Sequence, residues 1–318
     1  FPTRRSSDLS LPIIGRFAPS PTGPLHFGSL VAAVASYLEA ADGQYLMRIE
    51  DVDRPRAVSG MAEQQINALR AYGFEWDGEV IRQSDREPIY QAALQQLITA
   101  GLAYPCVCTR SQLASHANAR VGVDGARIYP GTCSHWQPGD AVPAGAAWRF
   151  RIGGVEAHEW TFEDRIQGMV SQQLARDVGD FVLHRADGCT TYQLAVVVDD
   201  LAQGVTQVVR GADLIDSTAR QLALISALGG HPPSYAHLPV VVNEAGEKLS
   251  KQTLAQSLPI DVESDRVAAL WAALDFLGQE PPANLLKASQ LRLWEWARAH
   301  WVIHKVPSVR SQLLQAKD

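Results

Sequence analysis

Arg16-Phe-Ala-Pro-Ser-Pro-Thr-Gly-Pro-Leu-His-Phe-Gly28 runs from a strand-like segment, through a turn rich in proline and glycine, to the start of a helix. The first amide N–H groups of a helix have no partner within it, and the helix dipole adds positive potential there, so this junction suits a phosphate. Gly23 and Gly28 allow close backbone approach, and His26 adds a side-chain donor. Taken alone, such a turn is also an ordinary way to enter a helix. Outward from it, residues 13–18 read as a strand. Residues 24–41 carry apolar side chains at helical spacing (Leu30, Val34, Tyr37, Leu38), with Gly43 as the expected stop, and 45–49 read as the next strand. Helices are expected at 59–72 and at 87–100, the latter ended by Gly101. Such strand–helix–strand units predict an α/β fold with a Rossmann-like parallel sheet covered by helices.

The 318 residues exceed what one hydrophobic core usually serves, so a large domain with an insert or appendage is expected. With 46% hydrophobic and 19% charged residues, the chain is neither disordered nor collagen-like nor a coiled coil. No apolar run approaches a membrane span. A net charge of −6 limits any nucleic-acid surface to a local patch. Four cysteines make no disulfide framework, which predicts a reducing, cytoplasmic setting. Phe1-Pro-Thr-Arg-Arg-Ser-Ser-Asp8 has no secretory apolar core and resembles translated adaptor sequence; residues 1–12 are set apart as a non-native or frayed tail. Further along, residues 103–158 lose periodicity and gather cysteine, glycine and proline, as an insert would. Residues 181–184, 194–198 and 205–209 read as strands, the second apolar at every position as if buried on both faces. Residues 217–228 read as a helix capped by Ser217 and followed by Gly229. From 261 the chain is expected to be helical, its Trp271, Trp294, Trp296 and Trp301 packing a small core.

A second chemical element lies more than two hundred residues after the first. Lys248-Leu-Ser-Lys251-Gln252 follows a turn, Asn243-Glu-Ala-Gly246. Two lysines three apart form a cationic pair able to neutralise charge growing on a pyrophosphate leaving group, although most such pairs are solvated surface. Together, His26-Phe-Gly-Ser29 and Lys248-Leu-Ser-Lys-Gln252 resemble the HIGH and KMSKS signatures of class I aminoacyl-tRNA synthetases. Arg16-Phe-Ala-Pro-Ser20, Arg48-Ile-Glu-Asp-Val-Asp53, Thr191-Tyr-Gln-Leu-Ala-Val-Val-Val-Asp-Asp200 and Val209-Arg-Gly-Ala-Asp213 narrow the resemblance to the glutamyl branch, over residues 13 to about 260. Only 261–318 remain, too few for the long anticodon-reading region of the full-length enzymes. The chain is therefore more similar to their short paralogues. These activate glutamate with ATP and, unlike the ordinary enzymes, do so without tRNA; they attach it to queuosine in the anticodon of tRNA(Asp). A truncated ordinary synthetase and a non-catalytic RNA-binding relic are the alternatives.

The resemblance implies glutamate contacts at Arg16, Phe17, Ala18, Pro19, Ser20, Glu50, Tyr192 and Arg210. It implies ATP contacts at Pro19, Ser20, His26, Gly28, Ser29 and Lys251. The chemistry agrees: Arg16 and Arg210 are fork donors for a carboxylate, Glu50 can accept from the ammonium, and Tyr192 can donate or accept. An internal salt bridge or a capped strand end is the alternative reading for each, for Arg210 a bridge with Asp213. Lys251, supported by Lys248, is assigned the transition-state contact, with His26 holding phosphate. Asp51 and Asp53, followed by Arg54 and Arg56, read as a charge network rather than a metal pair. ATP is expected with Mg²⁺ and no dedicated magnesium ligand. The implied layout is a catalytic domain in two halves (13–102 and 159–260), an insert (103–158) and a C-terminal helical region (261–318). The expected partners are tRNA(Asp) carrying queuosine, L-glutamate and ATP, with no membrane and a monomeric state.

Cys106-Val-Cys108 and Cys133 fall in the insert, and three thiols so placed make one structural zinc chemically sensible. The fourth ligand is open on composition alone. His135 is the usual donor type, whereas the C-x-C…Y-x3-C pattern of the short paralogues implies Tyr129. Cys189 reads as a small residue in a turn.

Overall fold

The computed structural model describes residues 12–115, 120–122, 125, 127–155, 159–248 and 256–314. Strand β1 (Ile14–Phe17) enters the Arg16 turn, helix α1 (Phe27–Glu39) leaves it, and β2 (Gln44–Ile49) returns parallel to β1 with Ile14 opposite Gln44. A parallel pair needs such a crossover, and α1 covers the sheet with Leu30, Val31, Val34 and Leu38. Helix α2 (Met61–Ala71) leads to the short β3 (Ile81–Arg82), parallel to β2, and then to α3 (Glu87–Thr99). Gly43 does not end α1, which caps at Ala40. A Cβ at Gly43 would lie 2.1 Å from the Ile13 carbonyl oxygen, so close approach of two backbones is what requires glycine there.

The stretch expected to be an irregular insert is anchored by regular structure. β4 (Ala103–Cys106) opens it, α4 (Arg110–Ser115) follows, and β5 (Ala147–Phe150) closes it by pairing antiparallel with β4. After β6 (Trp160–Asp164), β7 (Gly168–Gln172) and α5 (Leu174–Asp177), β8 (Val182–His184) adds to β5, making an antiparallel sheet in the order β4-β5-β8. The sheets are therefore mixed, beyond the purely parallel arrangement expected.

Residues 194–198 are not a strand. They lie inside α6 (Tyr192–Ala202), which packs between α3 and α7 (Ile215–Ala227). A helix enclosed on all sides buries every residue just as a central strand does, so a five-residue apolar run does not separate the two. Ser217 is likewise not a cap: a tight turn at Ala212–Leu214 starts α7 earlier, and Ser217 is buried within it, accepting a hydrogen bond from Gln193. The second parallel sheet has β9 (Gln207–Gly211), β10 (Ser234–Leu238) and β6 side by side, with β7 antiparallel at its edge. It meets the first where the Thr206 N–H donates to Ile14 O at 3.0 Å and Thr206 Oγ1 accepts from Ile14 N at 2.9 Å.

Strand β11 (Val240–Val242) follows β10. The chain then passes through α8 (Glu263–Phe276) and α9 (Gln290–His300) to β12 (Ser311–Leu313), which pairs parallel with β11. The C-terminal helices share the core of α1, α2 and both parallel sheets. Trp294 is buried, T-shaped against Tyr37 and Phe74, and donates from Nε1 to Tyr72 O at 2.8 Å. Trp271, Trp296 and Trp301 pack partly buried against this same shared core, where a small core of the C-terminal region was expected, and Trp301 lies just past the end of α9. Among the described residues, no helix is long and apolar enough to cross a membrane. Trp294→Ala is expected to cost about 3–5 kcal/mol of unfolding free energy in urea denaturation. A loss below about 1 kcal/mol would show that the fold does not lean on α9.

Candidate active site

A cavity of ≈830 Å³ opens where β1, β2, β9 and β10 end. Crevices beyond the carboxyl ends of parallel strands are where α/β sheets bind ligands, and this volume suits a nucleotide with a small acid. Arg16 and Phe17 line it from the end of β1, Ala18, Pro19 and Ser20 from the turn that follows, and Glu50 from just after β2. Tyr192 enters from the first turn of α6, Arg210 from β9, and His26, Gly28 and Ser29 from the head of α1. All these expected site residues thus meet in one space.

The amino-acid side is built on buried charge. Arg16 is 4% exposed and pairs with Asp200 through Nε (3.2 Å) and Nη2 (3.4 Å), so the internal salt bridge weighed for it exists while Nη1 lies outside that pair. Arg48, fully buried, binds Asp200 at 2.8 Å and Glu50 at 3.3 Å. Burial pushes the Glu50 carboxyl up despite Arg48 and Arg16, so an ammonium placed against it would favour its ionised form. The Tyr192 phenol is raised by burial and stays neutral.

Arg210 does not pair with Asp213. It is 6% exposed, and among the described residues its acceptors are neutral groups: His237, Gln221, Thr218, the Leu214 carbonyl and the Tyr192 hydroxyl. A buried guanidinium without a carboxylate beside it is costly in a folded protein unless an anion joins it.

On the opposite side, α1 begins at the cavity with no acidic residue in its first turn, so its positive end faces that space. Ser29 Oγ accepts from the His26 backbone N–H at 3.5 Å. Lys248 lines the cavity and pairs with Asp213, which lines it too. Ser257 forms an antiparallel bridge with His26, and the Leu258 N–H donates to Leu25 O at 3.0 Å. Lys251 lies outside the described residues, between these two anchored flanks. Asp51 accepts from the backbone N–H and hydroxyl of Ser84 (both 2.8 Å), and Asp53 pairs with Arg56 and Arg185. Of the expected charge network the Asp53–Arg56 pair is present, while Asp51 bonds a neutral serine instead of an arginine.

Away from the cavity, Cys106 ends β4 and its thiol meets those of Cys108 and Cys133, all three Sγ atoms within 4.8 Å of one another. Cys108 and Cys133 are 3.6 Å apart, and Tyr129 Oη lies 3.4 Å from Cys106 Sγ and 3.6 Å from Cys108 Sγ. A tetrahedral zinc with thiolates at 2.3 Å and one oxygen would separate its sulfurs by about 3.8 Å and oxygen from sulfur by about 3.5 Å. The donor set fits that ion. Burial would raise the Cys106 thiol, but hydrogen bonds with Tyr129 and Arg149 outweigh it and bring it below the ordinary range. His135 is exposed and not part of the cluster.

Sequence reasoning missed the supports behind these groups. Asp199 takes Arg86 Nε (2.7 Å), Gln83 Nε2 (2.8 Å) and Tyr90 Oη (2.9 Å). The Asp199-Asp200 pair at the end of an apolar run was the available signal, since buried carboxylates require partners.

Residues 12–285 match the family described as tRNA synthetases class I (E and Q), catalytic domain. The chain is 54% identical to the glutamyl-Q tRNA(Asp) synthetase of Chromobacterium violaceum over 301 residues, covering 94% of this chain and 97% of that one. It is 52% identical to the enzyme of that name from Dechloromonas aromatica, covering 97% and 100%. Its fold is similar to a crystal structure of a glutamate tRNA ligase from Elizabethkingia meningosepticum in complex with its amino acid, with TM-score 0.75 and 25% identity, over 96% of this chain and 68% of that one. With its cavity at the strand ends and this similarity over nearly its whole length, the chain belongs to the class I glutamyl and glutaminyl tRNA synthetases, in the group of the glutamyl-Q tRNA(Asp) synthetases.

Proposed function

We propose that this protein activates L-glutamate with ATP and transfers the glutamyl group to queuosine in the anticodon of tRNA(Asp). The observation that carries the reading is the single cavity in which two buried guanidinium groups, a buried carboxylate and a helix N-terminus converge. That set complements a carboxylate, an ammonium and a phosphate chain at once. An α-carboxylate oxygen attacks the α-phosphorus of ATP, the bond to the bridging oxygen breaks, and pyrophosphate leaves with the electron pair. A hydroxyl of the acceptor nucleoside then attacks the acyl carbon, losing its proton, and AMP departs.

No covalent enzyme intermediate is required, so rate rests on alignment and charge stabilisation. Arg16 and Arg210 take carboxylate, Glu50 and Tyr192 hold the ammonium side, and Phe17 to Ser20 shape the pocket. Pro19, Ser20, His26, Gly28 and Ser29 receive the nucleotide, which arrives with Mg²⁺. Lys251, supported by Lys248, offsets charge on the departing pyrophosphate. Cys106, Cys108, Cys133 and Tyr129 would hold one zinc ion that braces the 103–158 insert and takes no part in the chemistry. The catalytic halves 13–102 and 159–260, the C-terminal region 261–318, a monomeric state and a cytoplasmic location complete the reading.

Glutamate-dependent ATP–pyrophosphate exchange is expected without any tRNA, with labelled glutamate recovered on the queuosine nucleoside of tRNA(Asp). Exchange that needs tRNA, with label at the 3′ end, would instead identify an ordinary glutamyl enzyme. Lys251→Ala should lower kcat for exchange about 100-fold while changing the glutamate KM little; a pure KM effect would remove Lys251 from the transition state. Protein purified without added metal should contain about one zinc per chain by elemental analysis, and Cys133→Ser should lose most of it. A content near zero in the unmutated protein rules the zinc assignment out.

A further inference from the structure

Behind Arg210 lies a chain of buried polar groups drawn from three adjacent strands: Arg210 on β9, His237 on β10 and Asp164 at the end of β6. The side chains of His237 and Asp164 are wholly buried. Arginine can only donate, so its Nε–H, 3.0 Å from His237 Nε2, requires a lone pair on that nitrogen. The imidazole proton is therefore on Nδ1, which donates to Asp164 Oδ2 at 2.6 Å. The other oxygen of Asp164 is held by the backbone N–H groups of Ile166 (3.0 Å), Gln167 (2.9 Å) and His237 (3.1 Å). Burial pushes the His237 imidazole down to about 4, with the Asp164 hydrogen bond opposing it, so the ring is neutral at neutral pH, as an acceptor must be. For Asp164, burial acts upward, but His237 and the backbone donors outweigh it and hold the carboxylate low.

The bonds to Arg210 divide by length. His237 (3.0 Å), Gln221 (2.8 Å) and Thr218 (2.9 Å) are short, while the Leu214 carbonyl (3.4 Å) and Tyr192 hydroxyl (3.5 Å) are long. Three short bonds fix the guanidinium plane. The two long ones are those a carboxylate would displace, because charge-assisted bonds are the stronger. A neutral imidazole as spacer keeps the Asp164 charge one group away, so it orients Arg210 without occupying it as a direct salt bridge would.

We propose that His237 and Asp164 are positioning residues, which fix Arg210 in the orientation that receives a carboxylate of the amino-acid substrate. This rests on the reading of Arg210 as a glutamate contact. The test is glutamate-dependent ATP–pyrophosphate exchange on the full chain, with the KM for glutamate and for ATP measured separately and thermal melting recorded. His237→Leu removes both bonds. His237→Gln can restore them, since its amide both accepts and donates. Asp164→Asn is nearly isosteric but presents an N–H to His237 Nδ1, driving the ring to the tautomer that cannot accept from Arg210. Arg210→Lys is the reference.

His237→Leu and Asp164→Asn are expected to raise the glutamate KM about tenfold or more and leave the ATP KM within about twofold, while His237→Gln is expected to keep the glutamate KM near its original value. If His237→Leu fails to fold, Asp164→Asn and His237→Gln carry the comparison. Asp164→Asn that melts normally and keeps the original glutamate KM, while Arg210→Lys raises it, overturns the positioning role alone. So does an equal rise in both KM values. An unchanged glutamate KM in Arg210→Lys overturns the assignment of Arg210 and the positioning role with it.

Discussion

The fold is organised around charge that it cannot expose. Arg48, Asp199 and Asp200 are buried where β2 meets α6, with Arg16 and Arg86 closing the cluster from β1 and the segment before α3. Burial alone would push the Arg48 guanidinium down and the Asp200 carboxyl up. Their mutual attraction outweighs it, so Arg48 is held above its ordinary range and Asp200 below. Buried ions stay compatible with a fold when each finds a partner, and loss of one partner costs about 3–5 kcal/mol. The cluster demands that β1, β2, α3 and α6 hold one relative position, which is also the position that gathers Arg16, Glu50 and Tyr192 at one cavity. Stability and site geometry are thus the same constraint in this region.

The cysteine cluster is held by arginines of another kind, stacked on tyrosine rings and bonded to backbone carbonyls. The Arg149 guanidinium lies 3.9 Å from the centre of the Tyr129 ring, and its Nη1 donates to Asp180 O at 2.9 Å. Arg151 sits over Tyr104, with Nε and Nη2 bonded to the carbonyls of Gly101 and Trp136. Both arginines flank Phe150 of β5, so the strand that closes the insert also ties it to the end of α3 and the segment before β8.

Much of the site was legible because its chemistry is carried by short contiguous strings. Arg16 to Gly28 and Arg48 to Asp53 each sit at a strand end or the turn beside it, where sequence neighbours remain spatial neighbours. The first βαβ unit was legible because Leu30, Val34 and Leu38 recur at helical spacing over a stretch too long for one strand. Residues 194–198 failed that test because complete burial erases periodicity. Asp164 and His237 were invisible because strand pairing brings them together, and nothing local marks a buried histidine as an arginine's partner. Cys106, Cys108 and Cys133 could be grouped from spacing and Tyr129 joined to them from the family pattern, and the fold places the Tyr129 hydroxyl beside these thiols.

The pairing of β11 with β12 has a consequence for the order in which the molecule can be made. β11 leads directly into the lysine-bearing segment, and its partner β12 is supplied by residues encoded far later. During synthesis the chain emerges from its N-terminus, and a contact between distant segments waits for the second to appear. A nascent chain can therefore hold the Arg16 turn, the Asp200 cluster and the amino-acid pocket while β11 still lacks its partner. The part of the cavity beside Lys248 is braced only once residues 311–313 have emerged.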